Sequence, residues 1–179
     1  MIAAARSQLP ETEIHERLAA LRAWGVPADA HAFILRNNLF GTLREIVGSS
    51  SLPPRFAGTL VGHVLRNACR GNSLAPDRVT WLVREVESRG LAPDILKALL
   101  PLAVKDANAS LDTLLARAAY QMHTEEELVH QIEGLREECA SAGLSTTDCR
   151  DWIMGRLRPL ALGNVPLRRL AEDVKAALR

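Results

Sequence analysis

Asp151-Trp-Ile-Met-Gly-Arg-Leu-Arg-Pro-Leu-Ala-Leu-Gly-Asn-Val-Pro-Leu-Arg-Arg-Leu-Ala-Glu-Asp-Val-Lys-Ala-Ala-Leu-Arg179 is the stretch that decides the fold class. Trp152, Ile153, Leu157, Leu160 and Ala161 recur at helical spacing, and a second run follows with Leu167, Leu170, Val174 and Leu178. Between the runs, Gly163 supplies the left-handed conformation that ends a helix without a Cβ penalty. Pro166 lacks only an N–H that a first helical turn leaves unpaired. The spacing therefore predicts two helices joined by a short hinge, with arginine on both sides of it.

Working outward, the same punctuation recurs. Thr124-Glu-Glu-Glu127 reads as a capping box: the Thr124 hydroxyl accepts from the N–H three residues on, and Glu127 reaches back. Leu128, Ile132, Leu135 and Cys139 follow at helical spacing up to Gly143, and Ser145 can cap the helix that holds Trp152. Residues 124–179 are thus expected to form a three-helix unit.

Upstream, 55–70 carries a stripe of Ala57, Leu60, Val61, Val64, Leu65 and Ala68, ending at Gly71. Asp77 to Arg89 repeats the pattern up to Gly90, Pro93 opens an apolar helix, and Ser110 can cap another. Near the start, Glu11 to Ala23, Ala28 to Asn37 and Leu39 to Val47 read as short helices, with Met1 to Leu9 expected to fray. Gly48-Ser-Ser-Ser-Leu-Pro-Pro54 is the best linker, since paired prolines cannot continue a helix. The expected organisation is a connector over 1–50, a middle helical domain over 51–123, and the tail over 124–179. Only seven of 179 residues are aromatic, and Leu and Ala supply the apolar content, so the fold expected is all-α.

The formal charge of +1 gives no strong overall field for a polyanion, so any nucleic-acid surface must be local. It is most plausible over 150–179, where seven basic residues face three acids. The segment 124–149 reverses that, with seven acids against Arg136. Three cysteines, Cys69, Cys139 and Cys149, form neither an even set nor a Cys-x-x-Cys pattern, which points to a reducing, cytoplasmic compartment. No run approaches a membrane span or a signal peptide.

No catalytic motif is present. The chain has no phosphate-binding glycine loop and no nucleophile elbow, and His123 and His130 stand seven apart instead of in a zinc-binding His-Glu-x-x-His pattern. No metal and no cofactor are expected, His15, His31 and His63 read as surface or half-buried residues, and the cysteines read as small core side chains.

Met154-Gly155, the basic residues after it, Gly163-Asn164-Val165-Pro166 and the closing apolar helix resemble the signature of the GatB/YqeY-type tail domain, which ends the B and E subunits of tRNA-dependent amidotransferases. The order of the upstream helices from about Leu9, including Leu52-Pro-Pro-Arg-Phe-Ala-Gly, is similar to the helical region of the archaeal E subunit. Leu162 stands where the family has a basic residue before the glycine. The resemblance implies a non-catalytic tail that binds the body of tRNA, such as tRNA(Gln), by shape. An amidase or asparaginase-like subunit would be its partner. The implied contacts are Arg156, Arg158, Gly163, Asn164, Arg168, Arg169 and Lys175. The alternative is a helical protein-interaction module without tRNA binding: Arg168 with Glu172, and Arg169 with Asp173, are four apart and can neutralise each other.

Overall fold

Left-handed backbone closes six of the eleven α-helices among the described residues, and the helices account for the architecture. The computed structural model describes residues 11–69 and 74–179. Met1 to Leu9, Arg70 and Gly71, read above from the sequence, lie outside the described residues. Among the described residues the chain is all-α, with no strand, and no helix is long and apolar enough to cross a membrane.

The chain divides into two compact units, Met1–Thr80 and Trp81–Arg179. In the first, α1 (Glu11–Ala23), α2 (Ala28–Arg36), α3 (Phe40–Ser49), α4 (Pro54–Thr59) and α5 (Leu65–Ala68) bury Leu21, Ala30, Ile34, Leu43, Ile46, Ala57, Leu60 and Val61. The Gly48 to Pro54 stretch joins α3 to α4 here, with Leu52 buried and Pro54 in the first turn of α4.

The 55–70 stripe is not one regular α-helix. A π turn, Leu60–Val64, separates α4 from α5, and Leu65 N donates to Leu60 O across it. Its neighbours explain the small residues there. A Cβ at Gly62 would lie 2.4 Å from Ala30 Cβ, and one at Gly58 would lie 2.5 Å from a Val26 methyl. Two glycines four apart let this segment lie directly on α2 and on the turn that precedes it.

His31 is buried, where its sequence context suggests a surface or half-buried position. Its Nε2 donates to Val26 O at 2.9 Å, which satisfies both groups. His63 pairs with Asp29 at 3.0 Å.

The second unit takes in α6 (Pro76–Ser88) from Trp81 onward, a 3₁₀ turn Pro93–Ile95, α7 (Leu96–Lys105), α8 (Leu111–Arg117), α9 (Glu125–Ser141), α10 (Thr146–Ala161) and α11 (Leu167–Ala177). Ser110, Thr124 and Ser145 each accept from the N–H three residues on, and the Thr124–Glu127 box is complete. Each such cap stabilises its helix by about 0.5–2 kcal/mol.

The helix ends are equally regular. Gly25, Gly90 and Gly143 close α1, α6 and α9 in left-handed conformation, each paired as in a Schellman turn. Asn38 and Ala119 do the same for α2 and α8 without being glycine. In α11, Pro166 is the cap and Leu167 the first helical residue, so the helix starts one residue later than the proline suggests.

Candidate nucleic-acid interface

The tail helices α9, α10 and α11 close around Leu128, Ile132, Cys139, Cys149, Ile153, Leu157, Ala161, Val165, Leu170 and Val174, with Trp152 and Met154 packed half-buried against them. Burial of each large side chain stabilises the unit by about 1.5–3 kcal/mol. Arg136 of α9 donates to Ala177 O at 3.3 Å, placing a cation at the negative end of α11. The candidate contact residues of this unit fall into three groups.

The hinge group faces inward. A Cβ at Gly163 would lie 2.6 Å from Ile95 Cδ1 and 2.9 Å from Tyr120 Cε2, so the close approach that this glycine permits is filled by the protein itself. Ala92 N donates to Gly163 O at 2.8 Å. Asn164 is equally committed: Tyr120 OH donates to its Oδ1 at 2.8 Å, and its Nδ2 donates to the carbonyls of Gln121 and Leu160, both at 2.7 Å. Burial pushes the Tyr120 phenol pKa up, so the hydroxyl stays a donor. Beside them, Asp94 Oδ2 accepts from Leu167 N at 3.2 Å. A carboxylate thus occupies the start of α11, the place a phosphate would seek.

Asn164→Ala is expected to cost about 1–2 kcal/mol, discounted for partial exposure, because it leaves the Tyr120 hydroxyl and two carbonyls to water. A thermal melt measures this directly. Unchanged stability would show that the three hydrogen bonds contribute nothing to the fold.

The second group is neutralised on the surface. Arg168 Nε pairs with Glu172 at 3.1 Å, and Arg169 reaches Glu125 at 2.8 Å and Asp173 at 3.6 Å. The acidic start of α9 therefore offsets part of the basic excess of 150–179. These exposed pairs are each worth about 0–1 kcal/mol, so a phosphate can compete for them, but their cations are not free in advance.

The third group is available. Arg156 lies over the Trp152 ring, 4.7 Å from its centroid. Arg158 and Lys175 are exposed and have no acid partner among the described residues. Lys175 lines a shallow groove of about 320 Å³ with Thr146, Thr147, Arg150, Leu178 and Arg179. Arg150 and Arg179 were not singled out from the sequence as contacts, although the local basic excess includes both. Gly155, on the exposed side of α10, has open space where a Cβ would stand.

No group of three or more His, Cys, Asp or Glu able to hold a metal occurs among the described residues. His123 precedes the Thr124 cap, 3.4 Å from Glu127, while His130 is exposed on the α9 surface. No known family, curated protein or solved structure matches the chain.

Proposed function

We propose that the chain is a non-catalytic helical binding module, and that its 124–179 tail holds the body of a folded RNA of the tRNA type, in the manner of an amidotransferase B or E subunit tail. Support comes foremost from Arg156, Arg158 and Lys175, cations without an acid partner among the described residues, on a well-packed three-helix scaffold. Guanidinium and ammonium groups presented in this way bind phosphate oxygens, and a folded RNA is then recognised by backbone shape.

Amide transfer onto Glu-tRNA(Gln) belongs, on this reading, to an amidase or asparaginase-like partner and to a catalytic cradle that holds the charged end. The setting is cytoplasmic. A second reading, a protein-interaction module, is favoured by one specific observation: Arg168, Arg169, Gly163 and Asn164 are all engaged within the chain.

An equilibrium titration with tRNA(Gln) and a non-cognate tRNA separates the two. Three phosphate contacts predict that affinity falls about 40-fold between 50 and 200 mM salt. The triple variant Arg156→Ala, Arg158→Ala, Lys175→Ala should abolish the salt-sensitive part. Arg168→Ala should change affinity little. Absence of binding at low salt would rule out the RNA reading for this chain and leave the protein-partner reading.

A further inference from the structure

Cys139 lies in the last turns of α9 and Cys149 in the first turn of α10, so the two cysteines stand together at the closed end of one helical hairpin. Both are free and buried, at 2% and 4% exposure, within the core of the tail. The Cys139 thiol donates to the Cys149 backbone carbonyl, Sγ to O 3.9 Å, which sets the two residues side by side in this core.

The connection between them is short and rigid. Gly143 turns the backbone at φ +65, Leu144 N donates to Cys139 O at 3.2 Å, and the Ser145 hydroxyl accepts from Asp148 N at 3.2 Å. Helix ends fixed by caps on both sides hold the two cysteines at the same end of the hairpin. Cys69, by contrast, belongs to the other compact unit.

We propose that Cys139 and Cys149 form a reversible dithiol–disulfide pair that locks the α9–α10 hairpin when the chain meets a low-molecular-weight disulfide. The exchange balances without any other oxidant. One cysteine thiolate attacks a sulfur of the small disulfide, forms a mixed disulfide and expels one small thiolate. The second cysteine thiolate then attacks the protein-side sulfur, closes the Cys139–Cys149 bond and expels the other. The two protons lost by the cysteines pass to the two thiolates released, so the protein is oxidised by two electrons and the small disulfide is reduced by two.

Burial and the adjacent thiol push Cys139 up to about 11. Thiolate is scarce at neutral pH as a result, and closure proceeds through local opening of the hairpin. The pair is therefore a slow lock, set by sustained exposure to the disulfide. The inference stands whether the tail binds RNA or protein.

The test uses the full chain under native conditions, incubated with oxidised glutathione and followed by intact mass, peptide mapping and thermal melting. The expected product is about 2 Da lighter, contains a linked Cys139–Cys149 peptide pair, reverts with dithiothreitol and melts about 5 °C higher. Cys69→Ser should form the same link, and shows the loss of about 2 Da free of any glutathione adduct on the half-buried Cys69. Cys149→Ser should stop at a glutathione adduct on Cys139. Should that variant not fold, wild type alone decides the matter. Glutathione adducts on both cysteines without a link, or a link formed only in denaturant, would overturn the proposal.

Discussion

Gly163→Ala is expected to destabilise the Trp81–Arg179 unit by about 2–4 kcal/mol, the largest effect of any single methyl group considered for this chain. Two costs add. At φ +84 an alanine sits in the left-handed region, where its Cβ crowds the carbonyl oxygen that follows. The new methyl also lands 2.6 Å from Ile95 Cδ1 and 2.9 Å from the Tyr120 ring, so one of them must move. Tyr120 is held by Asn164, so a shift of its ring spreads to the hydrogen bonds of the hinge.

Gly155→Ala is the matched control. Gly155 lies inside α10 at ordinary helical φ with nothing within 4 Å of an added Cβ, and alanine there should gain up to about 1 kcal/mol. Denaturant melts of the two variants should move in opposite directions. Equal midpoints would refute the account of the hinge given above.

Gly62→Ala should cost the first unit about 2 kcal/mol net: about 3 for a methyl forced against a rigid neighbour, offset by about 1 for the helix propensity of alanine. The contact is Cβ to Cβ with Ala30, at 2.4 Å, so no flexible side-chain tip can swing away. Only the backbones of α2 and the π turn can give. Adding Ala30→Gly removes the opposing methyl and should recover most of the loss, although Ala30→Gly alone is itself destabilising by about 1 kcal/mol. A double-mutant cycle reads this coupling. Additive effects would mean that the two segments do not touch as described.

Much of this fold is written locally in the chain. Gly25, Gly90 and Gly143 mark helix ends because glycine alone enters left-handed backbone freely, and Thr124, Ser110 and Ser145 mark starts because a hydroxyl reaches the N–H three residues on. Ala119 occupies the same left-handed geometry with no such signal, held there by the structure around it, and Asn38 does so with only asparagine's weaker preference for it. The π turn is likewise silent, since an i→i+5 bond leaves no residue pattern of its own.

For the candidate interface the division is the same. The pairs Arg168–Glu172 and Arg169–Asp173 follow from a spacing of four and form as that spacing allows. Arg169 to Glu125, Asp94 to Leu167 and Tyr120 to Asn164 are each more than forty positions apart, and no local rule contains them. Those distant contacts decide which basic residues are free and which way the hinge faces.

The Arg156–Trp152 stack also provides an optical readout. Trp24, the tryptophan of the first unit, is half-buried and stacked on Phe40 at 5.6 Å. Trp152 is covered by a cation that a phosphate would draw away. A ligand that recruits Arg156 uncovers the indole and changes its emission without any label. Of the three tryptophans, Trp152 is the one whose emission reports engagement of the tail, superimposed on the signals of Trp24 in the first unit and Trp81 in the second.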